Sequence, residues 1–142
     1  MQVRRVYGKR ILLVDDQREV REGIKLMLAE DGHSVVEANN GAEALNLFAR
    51  GKFDLVVTDF RMPFVTGDEL ARRIKQIAPW QPILMVTAYG EQPCKSNPVD
   101  VVLCKPIDFD RLRDEIARLV PEWENTQIIY APAQQSEPAP QS

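Results

Sequence analysis

Residues 54–63 read DLVVTDFRMP, an apolar run that ends in a carboxylate and is followed shortly by a proline. Apolar runs of similar length recur along the chain on both sides of it. They predict five strands, at residues 11–14, 34–37, 55–57, 83–86 and 99–103. Most of these runs are continuous rather than alternating, which is typical of strands buried on both faces of a parallel sheet.

Helical patterns separate the predicted strands. The first ends at Gly32 and carries apolar residues at helical spacing, namely Val20, Ile24, Met27 and Leu28. Two pairs have the spacing of residues that cap helix starts: Asn40 with Glu43, and Thr66 with Glu69. The last helix is predicted to begin at Asp108 and to bury one stripe, formed by Phe109, Leu112, Ile116 and Leu119. This alternation predicts an α/β fold with an open, doubly wound sheet.

The length of the chain bounds its organisation. Its 142 residues suffice for one domain with a proper core. We expect an N-terminal arm at residues 1–8, the domain at 9–120, and a Pro/Gln-rich tail at 121–142. The tail is predicted to be largely disordered, or to dock through Trp123 and the apolar residues 128–130.

Composition excludes several classes of protein. The chain is 44% hydrophobic and 27% charged, with a net charge of −3, which is typical of a soluble globular protein and not of a nucleic-acid-coating one. Its apolar runs are far shorter than the roughly 18 to 20 residues of a membrane span. We therefore expect a cytoplasmic protein without direct nucleic-acid or membrane binding. Cys94 and Cys104 form neither a CxxC pair nor a cluster with His33, which disfavours a disulfide framework and a zinc site.

Polar residues follow the predicted strands where the strands end. Asp15 and Asp16 follow the first strand, Asp59 the third, Thr87 the fourth and Lys105 the fifth. The carboxyl ends of parallel strands meet at one edge of a sheet, so these groups are predicted to share a cleft. Clustered carboxylates repel one another unless they hold a cation or a proton, and oxygen ligands suit Mg²⁺. One carboxylate would then be free to attack phosphorus.

The sequence resembles a receiver domain of the two-component response-regulator family, the CheY-like superfamily, over roughly residues 9–120. The resemblance rests on LLVDD at 12–16, DLVVTDFRMP at 54–63, Gly67, VTA at 86–88 and KP at 105–106. It implies a flavodoxin-like, five-stranded parallel sheet in the order 2-1-3-4-5. It also implies a phosphoacceptor switch that catalyses only its own phosphorylation and dephosphorylation.

The resemblance assigns a role to each of these residues. Asp59 would accept the phosphoryl group. Mg²⁺, with Mn²⁺ as an alternative, would be held directly by Asp16, Asp59 and the backbone carbonyl of Arg61, and by Asp15 through water. The phosphoryl oxygens would be bound by Thr87, Lys105 and the backbone N–H of Ala88. The Lys105-Pro106 bond would be cis, and the side chains of Arg61 and Tyr89 would tune dephosphorylation.

Two features depart from the family pattern. Val102 stands where receivers commonly carry an aromatic residue that moves with the switch, and valine is small and stiff. Gly90, Pro93 and Pro98 leave no room for an ordinary helix, so the fourth helix is predicted to be short or missing. We therefore expect the loop at residues 89–98 to carry the signal. Because neither Arg61 nor Tyr89 can orient a water molecule as a base, a long-lived phospho-form is also expected.

The leading hypothesis is a stand-alone switch that receives its phosphoryl group from a sensor histidine kinase or a phosphotransfer protein and acts on an unidentified downstream protein. The formation of a dimer is left open. A second hypothesis is a degenerate receiver that binds partners without phosphorylation. A third is a metal-dependent phosphohydrolase, although that class carries a second Asp where this chain has Arg61. Nucleotide-binding enzymes are disfavoured, because no glycine-rich loop follows the first strand.

Overall fold

The computed structural model describes residues 2–88, 98–120 and 126–130, with side chains described at residues 6–88 and 98–120. The strands are β1 (Gln2–Val6), β2 (Arg10–Val14), β3 (Ser34–Ala38), β4 (Leu55–Asp59), β5 (Ile83–Thr87), β6 (Val101–Cys104) and β7 (Thr126–Tyr130). The helices are α1 (Arg18–Glu30), α2 (Gly41–Arg50), α3 (Gly67–Ile77) and α4 (Phe109–Leu119). No helix in the described ranges is long and apolar enough to cross a membrane.

Five strands form one parallel sheet in the order β3-β2-β4-β5-β6. This is the predicted flavodoxin-like order, counted over the five strands that the sequence predicts. The chain leaves β2 toward β3 on one side and returns to β4 on the other, so the topological switch point lies between β2 and β4. Ligands of such sheets bind beyond the carboxyl ends of the strands at this point.

The continuous apolar runs are explained by a core on each face of the sheet. Successive residues of a strand point to opposite faces, so Ile11 and Leu13 pack with α1 and α4 while Leu12 and Val14 pack with α2 and α3. Both faces are therefore covered by helices, and the central strands are buried throughout.

Local capping explains where two helices begin. The Asn40 side chain accepts a hydrogen bond from the Glu43 backbone N–H at 2.8 Å, and the Thr66 hydroxyl accepts one from Glu69 at 3.3 Å. Side-chain oxygens at these positions satisfy backbone donors that have no partner within the helix. The predicted starts of α2 and α3 are thus confirmed.

The start of α4 is confirmed in the same way, but its buried stripe begins later than predicted. The Asp108 carboxylate accepts hydrogen bonds from the N–H groups of Asp110 and Arg111. The prediction that Phe109 is buried is wrong, because the residue is 41% exposed. Phe109 is the first helical residue, and helical side chains lean toward the N-terminus, which carries this ring past the edge of the core. Leu112 is the first fully buried residue of the stripe.

A second, two-stranded sheet was not predicted. Strands β1 and β7 pair antiparallel, with Val6 opposite Thr126 and Gln2 opposite Tyr130. Strand β1 also contacts α4, and Val6 is buried in the core on that face. The arm and the tail therefore each contribute a strand, while the predicted domain boundaries stay predictions.

Several sequence predictions lie outside the described residues. They concern Tyr89, the short or missing fourth helix, the signalling role of the loop at 89–98, and Trp123.

Candidate functional site

The two buried carboxylates of the predicted cluster are fixed by the ends of adjacent strands. Asp15 directly follows β2, and its N–H donates to the Ala38 carbonyl at 3.1 Å. Its Oδ1 accepts a hydrogen bond from the Gln17 N–H at 2.8 Å. Asp59 is the last residue of β4, where it pairs with Val86. Backbone hydrogen bonds and strand pairing therefore fix the positions of Asp15 and Asp59 in the fold.

The structure brings the three predicted acidic residues together. One oxygen from each of Asp15, Asp16 and Asp59 lies within 4.8 Å of the other two. Asp15 and Asp59 are buried, whereas Asp16 is exposed. The cluster is therefore formed by two buried carboxylates and one carboxylate at the surface.

Lys105 is the cation that faces this cluster. Its Nζ lies 3.1 Å from Asp59 Oδ1 and 3.9 Å from Asp15 Oδ2. It follows β6, and its N–H donates to the Thr87 carbonyl at 2.7 Å. The Lys105-Pro106 peptide bond is cis, as the resemblance implies.

The carboxylates carry more negative charge than Lys105 balances. Burial raises the pKa of Asp15 to about 6, and the charges of Asp59 and Asp16 add to this effect. Burial also raises the pKa of Asp59, although the hydrogen bond and charge of Lys105 oppose the shift. Three carboxylates and one ammonium leave an excess of two negative charges when all are ionised. Such a cluster favours a bound cation or a proton.

An open cleft of about 550 Å³ gives access to Asp59. Five predicted residues line it: Asp16, Asp59, Arg61, Ala88 and Lys105. Thr87, the last residue of β5, is buried beside Ala88. The cleft is large enough for a small anion together with a hydrated cation.

Val102 and Thr87 occupy neighbouring strands but differ in environment. Val102 lies on β6 opposite Met85, and the residue is 44% exposed. Thr87 is buried at the end of β5.

Sequence reasoning missed three contributors to the cleft. Gln17, Met62 and Pro63 also line it, and Gln17 holds the Asp15 carboxylate. An Asp that accepts a hydrogen bond from the N–H two residues later is a common turn, and the sequence DDQ could have indicated it. The role of Gly67 was missed too. A Cβ at this position would lie 2.3 Å from the Asp59 carbonyl oxygen, so a glycine lets α3 approach β4 closely.

The donor atoms of the cluster fit Mg²⁺. They are all oxygens, come from three carboxylates, and adjoin a cleft that leaves space for water. Magnesium prefers a small number of carboxylates and retains several waters, whereas zinc and copper prefer nitrogen and sulfur ligands.

Comparison with known proteins identifies the family. Residues 11–117 match the response regulator receiver domain. The response regulator protein PilR of Pseudomonas aeruginosa is 38% identical over 114 residues, which are 77% of this chain and 25% of PilR. Sporulation initiation phosphotransferase F of Bacillus subtilis is 32% identical over 118 residues, which are 80% of this chain and 95% of that protein. The chain thus spans about a quarter of several curated relatives and nearly all of another.

Solved structures show the same fold. The response regulator TrrA of Thermotoga maritima, in complex with Mg²⁺-BeF, has a TM-score of 0.73 and 37% identity, and the match covers 78% of this chain and 98% of TrrA. A receiver domain protein of Clostridium thermocellum has a TM-score of 0.75 and 28% identity, with 80% and 94% covered. The strand order, the acidic cluster at the switch point and these matches show that the chain belongs to the response regulator receiver domain family of two-component systems.

Proposed function

We propose that this chain is a stand-alone receiver that accepts a phosphoryl group on Asp59 and thereby changes its binding to a partner protein. The donor is a sensor histidine kinase or a phosphotransfer protein. One observation carries the proposal: the Asp59 carboxylate lies in the cleft with Lys105 Nζ at 3.1 Å and two further carboxylates within 4.8 Å. The match covers 95% of sporulation initiation phosphotransferase F, so at least one relative consists of little more than the matched region.

The transfer needs an ionised nucleophile. An Asp59 oxygen forms the new O–P bond as the N–P bond of the donor phosphohistidine breaks. The electron pair of that bond stays on the donor imidazole, which takes up a proton from solvent. Burial raises the pKa of Asp59, and the Lys105 ammonium opposes this effect and so favours the charged form of the carboxyl.

A cation completes the charge balance of the site. Mg²⁺ held directly by Asp16, Asp59 and the backbone carbonyl of Arg61, and by Asp15 through water, would supply positive charge for both the nucleophile and the phosphoryl oxygens. Asp15 then remains ionised despite a pKa raised to about 6. In this proposal, Lys105 and the Thr87 hydroxyl bind the phosphoryl oxygens after transfer.

The test uses acetyl phosphate as a small donor. The protein is incubated with acetyl phosphate and MgCl₂, and intact mass is measured for a phosphate-sized increment. We expect the increment in the unchanged protein and in Asp54→Asn. We expect no increment in Asp59→Asn, or in the unchanged protein when EDTA is present from the start of the incubation. Asp54 is a matched control, because it is an exposed aspartate just before β4 that accepts a hydrogen bond from the Arg10 N–H.

The same experiment separates the alternatives. No increment in the unchanged protein would favour a degenerate receiver that binds partners without phosphorylation, a function that the exposed Val102 also suits. Continuous release of inorganic phosphate without an adduct would favour a phosphohydrolase. A stable adduct on Asp59 supports the switch, and a slow loss of the adduct supports a long-lived phospho-form.

A further inference from the structure

Phe64 combines full exposure with a strained backbone. Its relative exposure is 101%, so the ring contacts almost nothing in the described part of the chain. Its φ is 69°, and among described residues it is the one non-glycine with a positive φ. The Val65 N–H donates to the Pro63 carbonyl at 2.8 Å, which makes Phe64 the centre of a γ-turn of the rare positive-φ type. Residues other than glycine avoid this conformation because Cβ approaches the backbone.

The loop that carries Phe64 is braced on both sides. Val65 packs against Gly41 so closely that a Cβ there would lie 2.6 Å from Val65 Cβ. Met62 is buried in the core, and the Gly67 N–H donates to the Phe60 carbonyl at 2.8 Å. The ring is therefore displayed by a fixed backbone.

The position of the loop relates Phe64 to the cleft. Met62 and Pro63 line the cleft that leads to Asp59, and Phe64 follows them directly. A protein that delivers a phosphoryl group to Asp59 must cover this rim. Trp80 is similarly exposed, at 78%, but it lies in the turn before β5, at the amino ends of the strands and away from the cleft.

We propose that Phe64 is an anchoring contact for the phosphoryl donor, and that it inserts into an apolar recess beside the donor's phosphohistidine. This inference rests on the function proposed above. Aromatic side chains dominate many protein interfaces because they bury a large area and have few rotatable bonds. A ring that is already fixed in an exposed position loses little conformational entropy on binding. A second copy of this chain is a poorer occupant, because a dimer seated on Phe64 would cover the cleft that the donor must enter.

Two variants separate the ring from the strain. Phe64→Ala removes the ring and keeps Cβ, whereas Phe64→Gly also removes the strain. Trp80→Ala is the matched control. The probe is a histidine phosphotransfer domain labelled with ³²P on its histidine, chosen from a panel as the one that transfers fastest to the unchanged protein. Acetyl phosphate serves as a small-molecule donor, which has no protein surface that could contact Phe64.

We expect kcat/KM for transfer from the labelled domain to fall about tenfold or more in both Phe64 variants and to stay unchanged in Trp80→Ala. Labelling by acetyl phosphate should stay within about twofold in all three variants. Phe64→Gly should also raise the Tm by about 2 to 4 °C, whereas Phe64→Ala should not. Loss of donor transfer without loss of stability would distinguish docking from a structural role.

Other outcomes overturn the inference. Unchanged transfer from the labelled domain in both Phe64 variants would refute it while leaving the proposed function intact. The same holds if no domain of the panel transfers to the unchanged protein although acetyl phosphate labels Asp59, or if Phe64→Ala converts a dimer to a monomer in sedimentation. Failure of acetyl phosphate to label Asp59 would instead refute the proposed function.

Discussion

Gly67→Ala is predicted to disturb the phosphoacceptor from behind. Gly67 is the first residue of α3, and an added Cβ would lie 2.3 Å from the Asp59 carbonyl oxygen and 3.0 Å from Phe60 Cα. A carbon normally approaches a carbonyl oxygen to about 3.3 Å, so α3 and the end of β4 would have to separate by about 1 Å. The added Cβ would also lie 3.0 Å from Met85 Cε, which is the end of a flexible side chain and can move aside. The two backbone atoms cannot move in this way, so they determine the effect.

The size of the effect follows from that displacement. Overpacking of this kind destabilises a protein by about 1 to 3 kcal/mol, which corresponds to a fall in Tm of about 4 to 12 °C for a domain of this length. The displaced group is the backbone of Asp59 itself. Misplacement of a reacting group by about 1 Å can slow a reaction about 100-fold, so the rate of phosphorylation should fall by about 10-fold to 100-fold.

Gly23→Ala is the matched control, because it makes the same chemical change where there is space. Gly23 lies inside α1, and a Cβ there would meet nothing within 4 Å. Alanine stabilises a helix interior relative to glycine by about 0.5 to 1 kcal/mol, so the Tm should rise by about 2 to 4 °C. The rate of phosphorylation should not change.

The assay combines urea unfolding, thermal unfolding and the initial rate of labelling by acetyl phosphate. The two alanine variants should shift the Tm in opposite directions, and only Gly67→Ala should slow labelling. A Gly67→Ala protein with unchanged stability and an unchanged rate would refute the argument that close contact at Gly67 positions Asp59.

Two further predictions concern charged and titratable groups. Lys105→Gln removes the ammonium 3.1 Å from Asp59 and should slow labelling by acetyl phosphate about tenfold or more. The control Lys75→Gln breaks an ion pair with Asp100 and should leave the labelling rate unchanged. Equal labelling rates in the two variants would contradict the role of Lys105. His33 is buried, accepts a hydrogen bond at Nδ1 from the Lys9 N–H at 2.9 Å, and has a pKa lowered mainly by burial. The neutral His33 side chain contributes fully to stability above the unfolded pKa of about 6.5, and this contribution is lost as pH falls from there toward the lowered folded pKa. His33→Gln should therefore reduce the slope of unfolding free energy against pH in that window, as measured by urea unfolding.

The five-stranded sheet was predictable because its strands are buried on both faces. Runs such as residues 83–86 are apolar throughout, and helices on both faces of a parallel sheet require this. The starts of α2 and α3 were predictable because each depends on two residues three positions apart. Strand order does not follow from either signal, and the order 2-1-3-4-5 came from the resemblance.

Strands β1 and β7 carried no comparable signal. They are five residues each, and they pair the first residues of the chain with residues beyond 125. QVRRV and TQIIY are short and mix polar with apolar residues, so neither resembles a buried strand of the main sheet. Pairing over such a distance in sequence depends on the completed fold, to which β1 is attached through its contact with α4.

The identity of the site residues was predictable, but their energetics were not. The predicted acidic residues, Thr87 and Lys105 lie at or just after the carboxyl end of a strand, and the parallel arrangement brings those ends together. The raised pKa of Asp15 depends on how deeply its carboxylate is buried and on its distance from Asp59, and neither quantity is written in the order of residues. The positive φ of Phe64 was not predictable either, because the intrinsic preference of phenylalanine opposes it.

Local preference and overall fold disagree at one edge of the sheet. Asp15 and Asp59 are carboxylates in buried positions, and Phe64 is an apolar ring in solvent on a strained backbone. Each of these features lowers stability, and all three lie at or beside the cleft that leads to Asp59. Sequences are otherwise consistent with their folds, and exceptions that persist are expected where a function requires them. The proposed cation and phosphoryl group would explain the buried carboxylates, but neither would explain Phe64. The position of this ring beside the cleft is the reason why we infer a contact between Phe64 and the phosphoryl donor.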